Sequence, residues 1–114
     1  MTTILSDFTS ETQLAVTETT LVSTNSSEKK FIGMATVTNT STSNIEVTIW
    51  RLDDTTTGTT GSGGNWLWKK TIPANKTEIV DKLLGHVLGN SQKISGLAGT
   101  ASVVNIDISG KTET

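Results

Sequence analysis

Residues 45–50 read Ile-Glu-Val-Thr-Ile-Trp, and this short stretch decides the fold class. Ile45, Val47 and Ile49 stand at every second position, whereas a helix would repeat its apolar positions every three or four residues. Because successive side chains of a β-strand point to opposite faces, these three residues share one face of a strand. The stretch therefore predicts a strand with one buried and one solvated face, which is typical of antiparallel sheets.

Similar extended segments recur on both sides of this stretch, separated by turn residues about every 8–12 positions, as in β-sandwiches. They cover residues 14–24, 30–39, 66–72, 77–80, 92–97 and 101–109. We therefore predict an all-β fold, an antiparallel β-sandwich or jelly-roll-like arrangement of about seven to eight strands.

One segment is ambiguous, because the apolar residues of 79–88 also fit helical spacing. Gly85 and Gly89 disfavour a long helix at this point. The segment therefore predicts at most one short helical turn, around Asp81 to Leu84.

The length of 114 residues suits one domain and is too short for two cores. We predict a loose N-terminal arm over residues 1–12, a single β-sandwich domain over 13–110 and a polar tail over 111–114. Residues 53–64 contain no apolar side chain and predict a long, mobile connection.

The composition narrows the classes of partner. Thr and Ser make up about three residues in ten, above ordinary usage, and Thr suits a half-buried pleated surface. The net charge is −2 and no basic stripe occurs, which argues against nucleic-acid binding. No apolar run is long enough for a membrane span. The chain has no cysteine and its first residues do not resemble a signal peptide, so we expect synthesis in a cytosol.

Residues that could carry chemistry are few. His86 is the single histidine and has no cysteine to join it, so the sequence predicts no metal site and no cofactor. Asp53 and Asp54 open a polar segment but lack the spacing of a calcium loop. Paired carboxylates for glycoside hydrolysis cannot be placed in one cleft from the sequence. We therefore expect a protein that is not an enzyme.

The three tryptophans are the most informative aromatic residues. Trp66 and Trp68 are two apart and would share a face on a strand, and pairing across residues 53–64 would bring Trp50 near them. They fit a core cluster, an anchor for a protein interface or a sugar-binding platform. The interface hypothesis selects the tryptophans and their charged neighbours: Trp50, Trp66, Trp68, Asp53, Asp54, Lys69 and Lys70.

The order of strands and turns over residues 30–110 resembles small β-sandwich proteins of tailed-bacteriophage structural gene clusters. The likeness rests on an ordered set of segments: residues 31–39, residues 44–50 before a Gly/Ser/Thr-rich stretch, residues 72–77, the apolar residues 79–88, residues 90–95 and the closing strand 103–110. The family often has an acidic Gly-Asp pair before the penultimate strand, where this chain has Gly89-Asn90-Ser91.

This resemblance implies a virion component made in the bacterial host cytoplasm, most simply a capsid decoration or cement protein. Such a protein binds the capsid or other virion proteins and stabilises the particle. By analogy with decoration proteins it would be a homo-oligomer, for example a trimer. Two alternatives stay open: a neck or tail accessory protein, and a carbohydrate-binding module that uses the tryptophans.

Overall fold

A computed structural model describes residues 3–53, 66–89 and 91–114, and within them the fold is all-β with two antiparallel sheets packed together. The described residues form nine strands: β1 (Thr3–Gln13), β2 (Thr19–Ser23), β3 (Lys29–Asn39), β4 (Ile45–Asp53), β5 (Trp68–Ile72), β6 (Thr77–Ile79), β7 (Val87–Leu88), β8 (Gln92–Ala98) and β9 (Val104–Glu113). The predicted β-sandwich is confirmed, with β1 and β7 added to the strands that the sequence indicated.

The strand pairs are nested along the chain. β1 pairs with β9, β2 with β8, β3 with β6 and β4 with β5, so that each pair encloses the next. The first sheet has the order β1-β9-β3-β6, with β7 also on β3, and the second has the order β2-β8-β4-β5. This nesting is that of a long hairpin folded over into two layers, the jelly-roll arrangement.

The core lies between the sheets and uses the alternation described above. Ile45, Val47 and Ile49 are buried on the inner face of β4, and Ile106 and Ile108 are buried on β9. Each sheet thereby covers the apolar face of the other, which is the packing that makes a two-layer sandwich stable. The inner face predicted from residues 45–50 is confirmed.

The two ends of the chain differ from the prediction of a loose arm and a polar tail. Residues 3–13 form β1 and pair with β9, which continues through the expected tail to Glu113. Ile4 lies opposite Thr112, and Thr12 lies opposite Ile106. Strand pairing uses backbone N–H and C=O groups, which polar and apolar residues carry alike. The polar composition of the two ends therefore does not show whether they form strands.

The segment around Asp81–Leu84 forms consecutive tight turns and not a helix. Leu83 N donates to Val80 O at 3.1 Å, and Leu84 N donates to Asp81 O at 3.3 Å. Val80 and Leu83 are fully buried, which explains the helix-like spacing of the apolar residues.

Within residues 3–53, 66–89 and 91–114, the structure has no helical segment with the length and apolar character of a membrane span.

Candidate protein-binding site

Trp68 is a core residue at the edge of the sandwich. It begins β5, is only 6% exposed and donates a hydrogen bond from indole Nε1 to Asp81 Oδ1 at 3.1 Å. Since β5 belongs to one sheet and Asp81 follows β6 of the other, this bond ties the two sheets together. Trp68 therefore has little surface to offer a partner.

Trp66 is the exposed tryptophan of the pair. Its side chain is 43% exposed, and it precedes β5, which begins two residues later. The expectation that Trp66 and Trp68 share a strand face is wrong, because the period of two applies only where both residues belong to the strand. Lys69 Nζ lies 5.8 Å from the centroid of the Trp66 ring, at cation–π distance.

Trp50 is buried, but it lies away from the core. β4 and β5 do pair as a hairpin, yet Ile49 and not Trp50 lies opposite Trp68. Ile49 belongs to the core cluster, so the neighbouring Trp50 faces the other side of the sheet, where it is 5% exposed. Its indole Nε1 is buried and has no hydrogen-bond partner among residues 3–53, 66–89 and 91–114. The structure thus separates the three tryptophans into three environments.

Lys69 and Lys70 form two separate ion pairs across neighbouring strands. Lys70 Nζ lies 3.1 Å from Glu78 Oε2, and Glu78 belongs to β6 of the opposite sheet. Lys69 Nζ lies 3.9 Å from Glu46 Oε1 on the adjacent strand β4. Successive residues of β5 point to opposite faces, so the two lysines cannot act as one basic patch.

A groove of about 610 Å³ opens where β5 and β6 meet, and we call it the Trp66 groove. Its lining is mixed in character: Trp66, Leu67, Trp68, Lys69, Lys70, Thr77, Glu78, Ile79, Asp81 and Lys82. Ile79 is 52% exposed, so the groove presents an isoleucine and a tryptophan among charges of both signs. An aromatic anchor within a polar surround is the composition of protein-interface hot spots.

Of the two aspartates in the interface hypothesis, the structure describes only the backbone of Asp53. Asp53 is the last residue of β4 and lies opposite Gln92 of β8. The side chain of Asp53, the whole of Asp54 and the predicted connection up to residue 64 lie outside the described residues.

His86 takes part in the packing of the fold through its backbone hydrogen bonds. Its carbonyl oxygen accepts a hydrogen bond from Ile32 N at 2.9 Å, and its N–H donates to Leu83 O at 3.1 Å. These bonds hold the turn that precedes β7 against β3. Within the part of the chain that the structure describes, no three His, Cys, Asp or Glu residues cluster as a metal site would require.

A second concave surface, missed by the sequence analysis, lies beside β1; we call it the edge cleft. It has a volume of about 520 Å³ and is lined by Thr3, Leu5, Phe31, Ile32, Gly33, Gly110, Lys111 and Glu113. At the floor of the cleft, β3 and β9 approach closely. A Cβ on Gly110 would collide with the carbonyl oxygen of Phe31. Glycines within strand segments are the sequence signal that could have indicated this close approach.

The chain matches no family model, no curated protein and no solved structure. The geometry of the sandwich and the chemistry of its surfaces are therefore what support a function.

Proposed function

We propose that this chain is a non-enzymatic structural protein of a tailed-bacteriophage particle that binds the capsid surface as a decoration or cement protein. The observation that carries the binding role is Trp66, a large aromatic side chain left 43% exposed at the rim of a groove. Exposed tryptophans in such settings are typical of binding hot spots. The order of strands and turns along the sequence of residues 30–110, which resembles that of small phage sandwich proteins, supports the virion assignment.

The rigidity of the Trp66 groove supports a binding role. Trp68 and Asp81 join the two sheets directly beneath it, and the ion pair of Lys70 with Glu78 joins them again at its rim. A groove held in place on both sides loses little conformational entropy when a partner binds. Trp66 can therefore contribute its apolar surface without a large ordering cost.

The charges that surround Trp66 support a protein partner in preference to a glycan. Lys69 Nζ already lies over the indole ring, at 5.8 Å from its centroid. A sugar that stacks on Trp66 would compete with this ammonium group for a ring face. A protein partner can contact the indole edge, Ile79 and the charged rim together.

The virion assignment is tested by mass spectrometry and immunogold labelling of purified phage particles whose genome encodes the chain. We expect the chain in gradient-purified particles at many copies, with label distributed over the head. Label confined to the neck or tail would support an accessory protein instead. Absence of the chain from intact particles would overturn the proposal.

Variants of the groove test the contact itself. Particles stripped of the chain are titrated with purified wild-type protein, with Trp66→Ala and with Val16→Ala, which removes a 54% exposed apolar side chain elsewhere. We expect at least about a ten-fold loss of affinity for Trp66→Ala, as for hot-spot residues, and no loss for Val16→Ala. Equal binding by all three proteins would remove the groove from the interface. Trp66-dependent binding to a glycan array instead of particles would establish the carbohydrate-binding alternative.

A further inference from the structure

We propose that β1 is a self-association edge: a second copy of this chain pairs its own β1 antiparallel to it, about a two-fold axis through Ser6. The proposal concerns a different surface from the Trp66 groove and stands independently of the virion role. It rests on three observations, namely the exposure of β1, the protection of the other sheet edges and the charges beside β1.

The described edges of the two sheets are unequally protected against pairing with another chain. β2 and β5 have only five residues each, β6 has three and β7 has two. β5 also carries Lys69 and Lys70, and lysine is the side chain most used to block edge pairing. β1 has eleven residues and contains no lysine, arginine or proline.

The first half of β1 also exposes apolar side chains. Leu5 is 79% exposed and Ile4 is 57% exposed, the two highest values among the large apolar residues of the described chain. Leu5 lines the edge cleft beside Phe31. Two exposed apolar residues on an open strand edge are a template for a further strand.

The strand register selects Ser6 as the centre of the pairing. Leu5 lies opposite Lys111 of β9, and Asp7 lies opposite Ser109. A two-fold axis through Ser6 places Asp7 of the second copy opposite Leu5, two strands from Lys111. That separation is about 9.6 Å between Cα atoms, which an extended lysine and an aspartate together span. The symmetry makes this ion pair twice.

The neighbouring registers place like charges together. An axis through Asp7 sets the two Asp7 carboxylates directly opposite each other, which is destabilising. An axis through Leu5 sets Asp7 opposite Thr3 of the second copy, whose neighbour on β9 is Glu113. The register about Ser6 therefore has the best charge complementarity of the three. It is short, because the bulge between Asp7 and Thr9 ends the regular ladder.

Among the described residues, neither charge has an ion-pair partner that it would have to leave. Within residues 3–53, 66–89 and 91–114, Asp7 and Lys111 take part in no ion pair, and both residues are exposed. An interface of this small size predicts a weak dimer that depends on salt.

Charge exchange between the two positions tests the proposal. Sedimentation velocity over a protein concentration series measures self-association of the full chain for wild type, Asp7→Lys and Lys111→Asp. We expect a dimer for wild type and at least about a ten-fold weaker dimer for each variant, because like charges then meet twice. An equimolar mixture of the two variants should associate again, since one ion pair re-forms as in wild type and the other re-forms with its charges exchanged.

Two further variants keep the test decisive. Ser6→Lys sets two cations directly opposite each other on the axis and should abolish the dimer, whereas Val16→Lys, on an exposed residue beyond the end of β1, should leave it unchanged. Circular dichroism checks the fold of each protein. A wild-type chain that stays monomeric at millimolar concentration overturns the proposal, and so does a mixture that fails to associate. A dimer or trimer insensitive to Ser6→Lys also overturns it.

Discussion

The groove edge and the β1 edge of this sandwich are secured in different ways. At the groove edge, side chains join the two sheets, through Trp68 with Asp81 and through Lys70 with Glu78. At the β1 edge, residues 3–7 are held by the backbone ladder to β9, and all of their side chains except that of the half-buried Ser6 are exposed. One fold therefore presents a pre-formed groove at one edge and an open strand at another.

The largest expected effect separates the two tryptophans of the groove edge. Trp68→Ala removes a core side chain and should lower the free energy of unfolding by about 3–5 kcal/mol. Trp66→Ala removes an exposed side chain and should change it by less than about 0.5 kcal/mol. Urea unfolding measured by circular dichroism compares the two variants. Similar losses for both would mean that Trp66 and Trp68 contribute equally to stability and would contradict their assignment to an exposed and a buried environment.

The next effect separates two glycines of the edge cleft. Gly110→Ala forces a Cβ against the carbonyl oxygen of Phe31, so the backbone must shift, at a cost of about 3 kcal/mol or more. Gly33→Ala serves as the matched control, because its nearest neighbour would be Gly110 Cα at an ordinary 3.6 Å. Thermal unfolding of both variants checks the prediction. A tolerated Gly110→Ala would contradict the close backbone approach described for this edge.

A smaller effect is expected at the hydrogen bond beneath the groove. Asp81→Ala leaves the indole N–H of Trp68 without its acceptor and should cost about 1 kcal/mol. Asp81→Asn keeps an oxygen acceptor and should recover part of that loss. Denaturant midpoints of the two variants give the comparison, and an equal loss in both would assign the effect to charge and not to the hydrogen bond.

The smallest effect concerns the ion pair at the groove rim. Lys70 and Glu78 are partly exposed, with side-chain exposures of 50% and 29%, so solvent screens their interaction. A double-mutant cycle with Lys70→Ala and Glu78→Ala should give a coupling of about 0.5 kcal/mol that decreases with added salt. A coupling unaffected by salt would show that the two side chains interact through packing.

The sequence predicted the interior of this protein better than its surfaces. The alternation in residues 45–50 predicts one buried face for Ile45, Val47 and Ile49, and the structure places all three in the core. The burial of the tryptophans is harder to predict from the sequence. The pattern of one strand shows which side chains share a face, but not which face another sheet covers. Trp50 and Trp66 therefore needed the structure, and so did the ends of the chain.

By itself, the sequence determined that this chain forms short strands with one apolar face, because side-chain alternation is a local property of the extended backbone. Only the tertiary structure decided which strands pair. β1 reaches β9 across almost the whole chain, through backbone groups that are the same for every pair of strands. That nested pairing sets which edges are protected, which stay open and where Trp66 and Leu5 meet solvent.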